Sequence, residues 1–454
     1  MSDGSFRDWF IYHVYPLGAL GAPARNDFSA APVQRLEGLQ AWIASAAELG
    51  ADALYLGPVF ESTAHGYDTA DYFHVDRRLG DHAALARLSE DVHRRGMRVI
   101  LDGVFHHVGR DFWAFREVLA APDSSRYRDW FFLDPRQRSP FGDPFSYQGW
   151  HGHFDLVKLN VQHPDVKRHL FDALRSWVEH FQIDGLRLDA ADVLDLEFQR
   201  ELAQLSRGLR RDFCLIGEVI HGDYRGWVGP DRLDSVTNYE VYKGLYSSHN
   251  DGNYFEIAHS LGRQFGPRGM YAGLPLYTFA DNHDVDRIAS RLKEPSDIYP
   301  LHLLLFTIPG VPSIYYGSEW GVLGRKTGGS DALLRPALTP SRAAESGAHP
   351  DLRASVQRFA ALRRALPALR RGGYRELLIA SRQFAFERFT SEQRVVIAVN
   401  SGAETSELRL KLPEVTHGRL QDVLDAERTF AVRDGQVTLP IPPRWGRVLR
   451  LSPR

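Results

Sequence analysis

The chain has 454 residues, 43% of them apolar, and its 55 lysines and arginines nearly balance its 57 aspartates and glutamates. A chain of this length can bury a large core and usually forms two or three domains. Because the formal net charge is only −2 and no block of like charge stands out, the sequence gives no electrostatic basis for binding nucleic acid or an anionic membrane.

One cysteine, Cys214, is present, so no disulfide can form within the chain. Apolar residues first run together at Trp9–Val14, where His13 interrupts them and Pro16 follows. A run this short and broken is typical neither of a secretory signal nor of a membrane-spanning helix. We therefore predict a cytoplasmic protein that spans no membrane.

Short apolar runs of strand type alternate with longer segments of helical period, which is typical of a parallel sheet covered by helices. Eight runs have this character: Trp9–Tyr15, Ala53–Leu56, Val99–Asp102, Gly185–Asp189, Cys214–Glu218, Ser235–Thr237, Leu276–Phe279 and Ser313–Tyr316. Eight strand–helix units predict an α/β fold of the (β/α)8 type, a TIM barrel, rather than an open sheet.

Two helical stripes stand out between these strands. Apolar residues recur every three or four positions from Val33 to Leu49, and Gly50 follows, where a helix end favours glycine. A second stripe runs over 166–181, with Pro164 near its start, where a helix tolerates proline. Both segments are predicted to pack on the outside of the barrel.

The chain departs from the regular alternation in two places. Roughly sixty residues rich in aromatic side chains, Gly, Pro and Asp separate the third strand from the helix near Pro164, and a connection of this length is usually a functional insertion or a small domain. After about Pro336 the pattern changes to short strands and turns, so we predict a C-terminal β-sandwich, with a helix at Leu352–Leu366 still packing on the barrel. The sandwich strands are predicted at Val395–Val399, Glu407–Leu412, Gly418–Val423 and Arg447–Leu451. The predicted domains are the barrel at 1–103 and 164–370, the insertion at 104–163 and the C-terminal domain at 371–454.

Polar side chains gather at the ends of the predicted barrel strands, where the catalytic groups of such barrels lie. They are Asp102, His106 and His107 after strand three, Arg187 and Asp189 on strand four, Glu218 after strand five, and His283 and Asp284 after strand seven. Residues two apart on a strand face the same way, so Arg187 and Asp189 should lie together. The guanidinium would then lower the pKa of Asp189 and keep it ionised.

Neighbouring strands lie about 4.8 Å apart, so carboxylates that end strands four and five can approach within about 5–5.5 Å, the separation found in retaining glycosidases. Staggering of residues in a barrel permits this spacing without requiring it. In such chemistry Asp189 attacks the anomeric carbon, Glu218 protonates the departing oxygen and Asp284 favours the cationic transition state. A single carboxylate at a strand end is more often a structural charge, so the prediction depends on the three occurring together with Arg187.

Four segments resemble, in order and spacing, the motifs of the α-amylase clan of glycoside hydrolases. They are Asp102–His107, similar to D-x-x-x-N-H, then Gly185–Asp189 with the nucleophile, Gly217–Val219 with the acid/base and Phe279–Asp284 with the transition-state stabiliser. The loop His65–Tyr67 and the strand-eight segment Ile314–Glu319 match further signatures, and the resemblance covers essentially the whole chain. It implies that Asp189, Glu218 and Asp284 are catalytic, that no cofactor takes part, and that a sugar is bound by His65, Tyr67, Asp102, His107, Arg187 and His283.

Several positions depart from the usual pattern of the clan. His106 stands where an Asn that often helps to bind calcium is usual, and Lys158 stands where many members have an Asp, so we predict no metal. A lysine at this place is similar to the neopullulanase and cyclomaltodextrinase group. Asp192, where many amylases have Lys, leaves specificity on the leaving-group side open. That group usually has an extra N-terminal β-domain, whereas here the predicted barrel begins within about ten residues, so a homodimer stays an open alternative.

The resemblance implies retaining hydrolysis of short α-linked gluco-oligosaccharides, linear or cyclic, by double displacement. The segment around Asp234–Asn250 is similar to that of the group that hydrolyses cyclic maltosyl-maltose, which narrows the resemblance to that group. The choice between α-1,4 and α-1,6 linkages stays open. Two alternatives are a transglycosylase or isomerising synthase of the same clan and, more remotely, a non-catalytic binding protein of the amylase type.

Overall fold

The computed structural model describes residues 5–452. Eight strands form its central sheet: β1 Ile11–Val14, β2 Ala53–Leu56, β3 Arg98–Gly103, β4 Gly185–Leu188, β5 Cys214–Gly217, β6 Ser235–Val236, β7 Tyr277–Phe279 and β8 Val311–Tyr315. Each strand pairs in parallel with its neighbour and β8 pairs with β1, while a parallel bridge between Thr237 and Tyr277 joins the segment after β6 to β7. The sheet therefore closes, and the predicted barrel is confirmed.

Helices cover the outside of the barrel. Those of ten or more residues are α1 Gln40–Leu49, α2 His82–Arg94, α3 Pro164–Phe181, α4 Leu196–Leu209, α5 Tyr239–Asn250, α6 Phe255–Phe265, α7 Ile298–Thr307 and α8 Leu352–Ala365. Shorter helices lie at Pro16–Ala19, Trp113–Ala120, Ile288–Arg291, Pro340–Ser346 and Pro367–Arg371. Within residues 5–452, every helix is too short or too polar to cross a membrane.

The two helical stripes fold nearly as predicted. Gly50 ends α1 with a left-handed backbone, at φ 84°, and Pro164 is the first residue of α3. The prediction is wrong for Val33, which is 38% exposed. Helical structure begins only at residue 35, with a 3-10 helix over 35–39 that buries Leu36 and Leu39, and Val33 lies in the irregular segment before it.

The insertion between β3 and α3 folds around an aromatic core. Phe115, on the helix Trp113–Ala120, meets the rings of Phe131 and Tyr147 edge-on at centroid distances of 5.1 and 4.9 Å. A three-stranded antiparallel sheet lies beside it, with strands His107–Gly109, His153–Lys158 and Gly149–Trp150. Because His107 is paired with Lys158 in this sheet, the insertion fixes the position of the residues that follow β3.

The predicted C-terminal β-sandwich is confirmed, with eight strands instead of the four predicted. They are β9 Gly373–Ile379, β10 Gln383–Phe389, β11 Arg394–Asn400, β12 Ser406–Lys411, β13 Gly418–Asp422, β14 Thr429–Val432, β15 Gln436–Ile441 and β16 Trp445–Ser452. One sheet has the order β9-β10-β11-β16-β13-β14, and β12 pairs with β15 in the other. Strand β10 was missed because Glu387 and Arg388, both buried, interrupt its apolar pattern.

The larger sheet is buried on both faces. On β11, Ile397 and Val399 belong to the core that is continuous with the barrel, whereas Val396 and Ala398 belong to the core inside the sandwich. Alternate residues of a strand point to opposite faces, so this run is apolar at every position. The helix predicted near residue 352 forms as α8 and packs on the barrel, where Gln357 donates to the carbonyl of Glu48.

Two buried arginines lie near the junction of barrel and sandwich, and one of them, Arg388 of β10, connects the two. Arg388 donates to the carbonyl oxygens of Thr307 at 2.7 Å and Gly372 at 2.9 Å. Arg363 donates to Gly310 at 2.6 Å and Leu369 at 2.9 Å. Thr307 ends α7, and a cation is favoured at the carbonyl end of a helix. Backbone carbonyls thus accept these hydrogen bonds at the junction.

Glu319, four residues after the end of β8, is a buried carboxyl group separate from Asp102, Asp189, Glu218 and Asp284. Its Oε1 accepts from the Tyr12 hydroxyl at 2.5 Å, while Oε2 has no hydrogen-bond partner among residues 5–452. Burial raises the pKa of Glu319 to about 7, and the bond from Tyr12 opposes that rise. The side chain is therefore largely protonated below neutral pH.

The pH dependence of stability tests this state. Glu319 has a pKa of about 7 in the fold, against 4.5 when exposed. Between these values the unfolded chain loses the proton while the folded chain keeps it, so the free energy of unfolding falls as the pH rises. We expect Glu319→Gln to gain about 1–3 kcal/mol over the wild type between about pH 5 and about pH 7.5, measured by denaturant unfolding.

Glu197→Gln is the matched control, because the side chain of Glu197 is 65% exposed and pairs with Arg200 at the surface. Its stability difference from the wild type should stay constant with pH. An unchanged difference for Glu319→Gln as well would contradict the buried, protonated state.

Candidate active site

Asp189 and Glu218 each stand one residue beyond a barrel strand, after β4 and β5. The residue before Glu218, Gly217, packs closely against Leu233 and Ala191. A Cβ at this position would lie 2.4 Å from a methyl carbon of Leu233 and 3.0 Å from the Cβ of Ala191. A glycine at the end of β5 therefore lets the backbone before Glu218 sit against its neighbours.

A single guanidinium, that of Arg187 on β4, holds three carboxylates together. Its Nη1 lies 2.9 Å from Asp102 Oδ1 and 2.8 Å from Asp189 Oδ1, and its Nη2 lies 2.9 Å from Glu218 Oε1. The Arg187 side chain is only 6% exposed. The structure thus brings together carboxylates from three neighbouring strands, as predicted for Asp189 and Glu218.

Asp102 lies behind this guanidinium. Its carboxylate is fully buried, and Oδ2 accepts from the hydroxyls of Tyr55 at 2.8 Å and Tyr67 at 3.0 Å. With both oxygens already hydrogen-bonded, Asp102 is arranged to support Arg187 and Tyr67. The sugar contact expected of Asp102 from the sequence stays a prediction, since strand position alone does not show on which side of an arginine a carboxylate lies.

Asp284, beyond β7, is held by two cationic or polar neighbours. His283 Nε2 lies 2.9 Å from its Oδ2, and Arg335 Nη2 donates to its Oδ1 at 2.8 Å. Arg335 also pairs with Asp331 at 3.0 Å and lies over the ring of Tyr15. Burial acts to raise the pKa of Asp284, but His283 and Arg335 outweigh it and hold that pKa well below its ordinary value. Asp284 is therefore ionised.

Glu218 receives hydrogen bonds on both carboxylate oxygens. Oε2 accepts from the backbone N–H of Ala190 at 3.2 Å, and Oε1 lies 3.4 Å from the hydroxyl of Tyr239. Ala190 has a left-handed backbone, at φ 48°, a conformation that costs a non-glycine residue roughly 1–2 kcal/mol. The strained residue directs its N–H at Glu218.

Burial raises the pKa of both Asp189 and Glu218, and Arg187 opposes the rise in each. The expectation that Arg187 by itself would keep the pKa of Asp189 low is therefore wrong, because one positive charge is shared by three carboxylates at the cost of desolvation. Like charges held this close titrate together. The Asp189–Glu218 pair accordingly retains a proton more readily than either exposed acid would.

The remaining predicted residues line the same region at different depths. His107 Nε2 lies 3.7 Å from Asp189 Oδ2, and burial holds the pKa of His107 well below its ordinary value, so the ring is neutral. The Tyr67 hydroxyl contacts His283 Nε2 at 2.5 Å. His65 lies nearer the surface, with 37% of its side chain exposed, and its Nδ1 accepts the N–H of Tyr67 at 3.3 Å.

The residues at the calcium position of the resembled pattern do not fit a hard cation. His106 Nδ1 lies 3.2 Å from His107 Nδ1, and burial, with Lys158 and His151, lowers the pKa of His106 to about 4. The carbonyl of His106 is bonded to the N–H of Leu159, next to Lys158. Hard cations bind oxygen ligands, and a nearby ammonium repels them.

Chelation tests this assignment. We expect EDTA to leave the Tm of the wild type unchanged, because Lys158 supplies the positive charge that a cation would otherwise bring. The double variant His106→Asn/Lys158→Asp replaces both residues with oxygen ligands, and its Tm should rise with added Ca²⁺.

Lys158→Gln, which removes the charge without adding a carboxylate, should show no such rise. A wild-type Tm that falls with EDTA and recovers with Ca²⁺ would contradict this account.

Four residues of this site were not singled out from the sequence. Arg335 and Asp331 come from the long connection after β8. An arginine four residues after an aspartate is too common a pattern to predict a place in the site. Tyr239 lies three residues beyond the end of β6, so a search of the residues after β6, like that made for the other strands, could have found it. Asn282 lay within a quoted motif, but its side-chain contacts had no sequence signal.

Fold and site together define a class of enzyme. A parallel barrel that gathers paired carboxylates at the carboxyl ends of its strands is the arrangement of a barrel glycosidase.

Comparison with known proteins gives the family. The family model for the α-amylase catalytic domain matches residues 34–360, and the chain belongs to the α-amylase family of glycoside hydrolases. Neopullulanase 2 of Thermoactinomyces vulgaris is 33% identical over 412 residues, which are 88% of this chain and 68% of that protein. A cyclomaltodextrinase of Geobacillus thermopakistaniensis is 32% identical over 414 residues, 89% of this chain and 68% of that protein. The solved structure of cyclic alpha-maltosyl-(1-->6)-maltose hydrolase from Arthrobacter globiformis has 25% identity and a TM-score of 0.81, and the match covers 98% of this chain and 99% of that one.

Proposed function

We propose that the protein hydrolyses α-glucosidic bonds with retention of configuration. The observation that carries this proposal is the single Arg187 guanidinium in contact with both Asp189 and Glu218. Two carboxylates on one guanidinium lie close together, and retaining glycosidases need their two carboxyl groups within about 5–5.5 Å. Asp284, ionised and bound to His283, supplies a third negative charge for the cationic transition state.

Double displacement assigns one role to each carboxylate. Asp189 attacks the anomeric carbon, and we assign the attack to Oδ2, since Arg187 holds Oδ1. The bond to the leaving oxygen breaks as Glu218 gives that oxygen its proton. Glu218, now ionised, takes a proton from water, whose oxygen attacks the same carbon and displaces Asp189. Burial of Glu218, which raises its pKa, favours the proton that the first step consumes.

We propose short α-linked gluco-oligosaccharides, linear or cyclic, as the substrates. Relatives named neopullulanase and cyclomaltodextrinase, together with the structural likeness to a cyclic maltosyl-maltose hydrolase, support this class. Neutral His107 and the Tyr67 ring are suited to uncharged hydroxyl groups and to stacking on a sugar. We also propose a cytoplasmic setting, where a single buried thiol such as Cys214 is ordinary.

Substitution of the two central carboxylates tests the mechanism. Asp189→Asn removes the nucleophile and Glu218→Gln removes the transferable proton, so each should lower kcat by at least about 10³-fold. The measurement is release of reducing sugar from maltotriose and from a cyclodextrin.

Asp192→Asn is the matched control, a half-buried carboxylate three residues beyond Asp189, and its kcat should change by less than about tenfold. Substantial activity in Asp189→Asn or Glu218→Gln on every α-glucan tested would sink the mechanism.

A product analysis tests retention and substrate class together. Incubation with linear, branched and cyclic gluco-oligosaccharides should yield α-anomers, observed by NMR before mutarotation, with short substrates consumed faster than starch. β-Anomers would contradict the double displacement. Longer or rearranged sugars at high substrate concentration would instead favour the transglycosylase alternative.

A further inference from the structure

Asn282 lies two residues before Asp284, and its side chain connects the backbone of Asp284 to the hydroxyl of Tyr239. Its Oδ1 accepts the backbone N–H of Asp284 at 2.8 Å, and its Nδ2 lies 3.4 Å from the Tyr239 hydroxyl. Asn282 is only 6% exposed. Because a backbone N–H can only donate, the amide oxygen must face Asp284 and the amide nitrogen must face Tyr239.

The orientation of the Asn282 amide determines where the hydrogen of the Tyr239 hydroxyl can point. Its oxygen accepts from Asn282, so its one hydrogen is free to point elsewhere. Glu218 Oε1 lies 3.4 Å away, and its carboxylate can accept that hydrogen. Hydrogen bonds of this length in a substrate-free site often shorten when the substrate binds.

The ring of Tyr239 is held in place from two sides. Tyr239 is the first residue of α5, where the Asn238 side chain caps the helix by accepting the N–H of Val241 at 3.1 Å. Its ring packs edge-on against Phe279 of β7 at 5.1 Å. The hydroxyl is thus presented to Glu218 by a capped helix end and a barrel strand.

We propose that Tyr239, oriented by Asn282, is a positioning residue whose hydroxyl donates to Glu218 Oε1 and favours its ionised form. This inference rests on the proposed acid/base role of Glu218. It gives Tyr239 a part in the second step, in which ionised Glu218 must take a proton from water. The amide side chain of Asn282 also fixes the backbone of Asp284.

The charged groups around Glu218 act in known directions. Arg187 on β4 and His283 beyond β7 favour its ionised form, whereas Asp284 disfavours it, as does burial. Burial holds the pKa of Tyr239 well above its ordinary value, so the hydroxyl keeps its hydrogen throughout the working range of pH. Loss of the hydroxyl should therefore raise the pKa of Glu218.

The test is the pH profile of Tyr239→Phe in the full-length enzyme, with an aryl α-maltoside as substrate. Glu218 must be protonated in the first step, so the alkaline limb of kcat/KM reports its pKa in the free enzyme. We expect this limb to move to higher pH by about 0.5 unit, with little change in Tm. Tyr242→Phe is the matched control, because Tyr242 lies one turn further along α5 and stacks on Phe279 at 5.2 Å. Its profile should match the wild type.

Asn282→Asp supplies the second arm. It keeps an acceptor for the N–H of Asp284 but turns the donor into an acceptor, which draws the Tyr239 hydrogen away from Glu218. The added negative charge also disfavours ionised Glu218, so the alkaline limb of Asn282→Asp should move at least as far as that of Tyr239→Phe. An unshifted limb in either variant, or an equal shift in Tyr242→Phe, would overturn the proposal. The wider mechanism fails separately, if Glu218→Gln stays active.

Discussion

The chemistry of this barrel depends on one cation buried among acids. Removing Arg187 from water is costly, and so is removing Asp102, Asp189 and Glu218. The arrangement is stable only because each carboxylate is paired with the same guanidinium. With fewer positive charges than acids, such a cluster tends to keep a proton. Glu218, which in the proposed mechanism first donates and then accepts a proton, is therefore held near its protonated form by its surroundings before the substrate binds.

Sequence periodicity located the barrel and the ends of its strands, since both are properties of neighbouring residues. Asp189 and Glu218 were found in this way. The burial of Asp102 behind Arg187 had no sequence signal, because it depends on Tyr55 and Tyr67, which come from another strand and its loop. Arg335 approaches Asp284 from a connection with no regular period, and no local pattern could place it there. Strand β10 of the sandwich was missed for a different reason, because buried charge at Glu387 and Arg388 breaks the alternation that marks a strand.

The insertion after β3 shows how one site can replace a cation with a side chain. Pairing of His107 with Lys158 in its small sheet brings an ammonium beside His106. A fixed charge of this kind needs no ligand shell and does not exchange with solvent. The neutral state of His106 and His107 follows from burial, so these two rings contribute shape and polar atoms to the site, and Lys158 contributes the charge.

The contact of Arg388 with the barrel affects how the molecule unfolds. Separating the sandwich from the barrel would take the Thr307 carbonyl away from Arg388 and would expose one apolar face of β11 to solvent. The two parts should therefore melt in a single cooperative event. A C-terminal truncation would thus damage catalysis from a distance, through collapse of the scaffold rather than loss of any group that meets sugar.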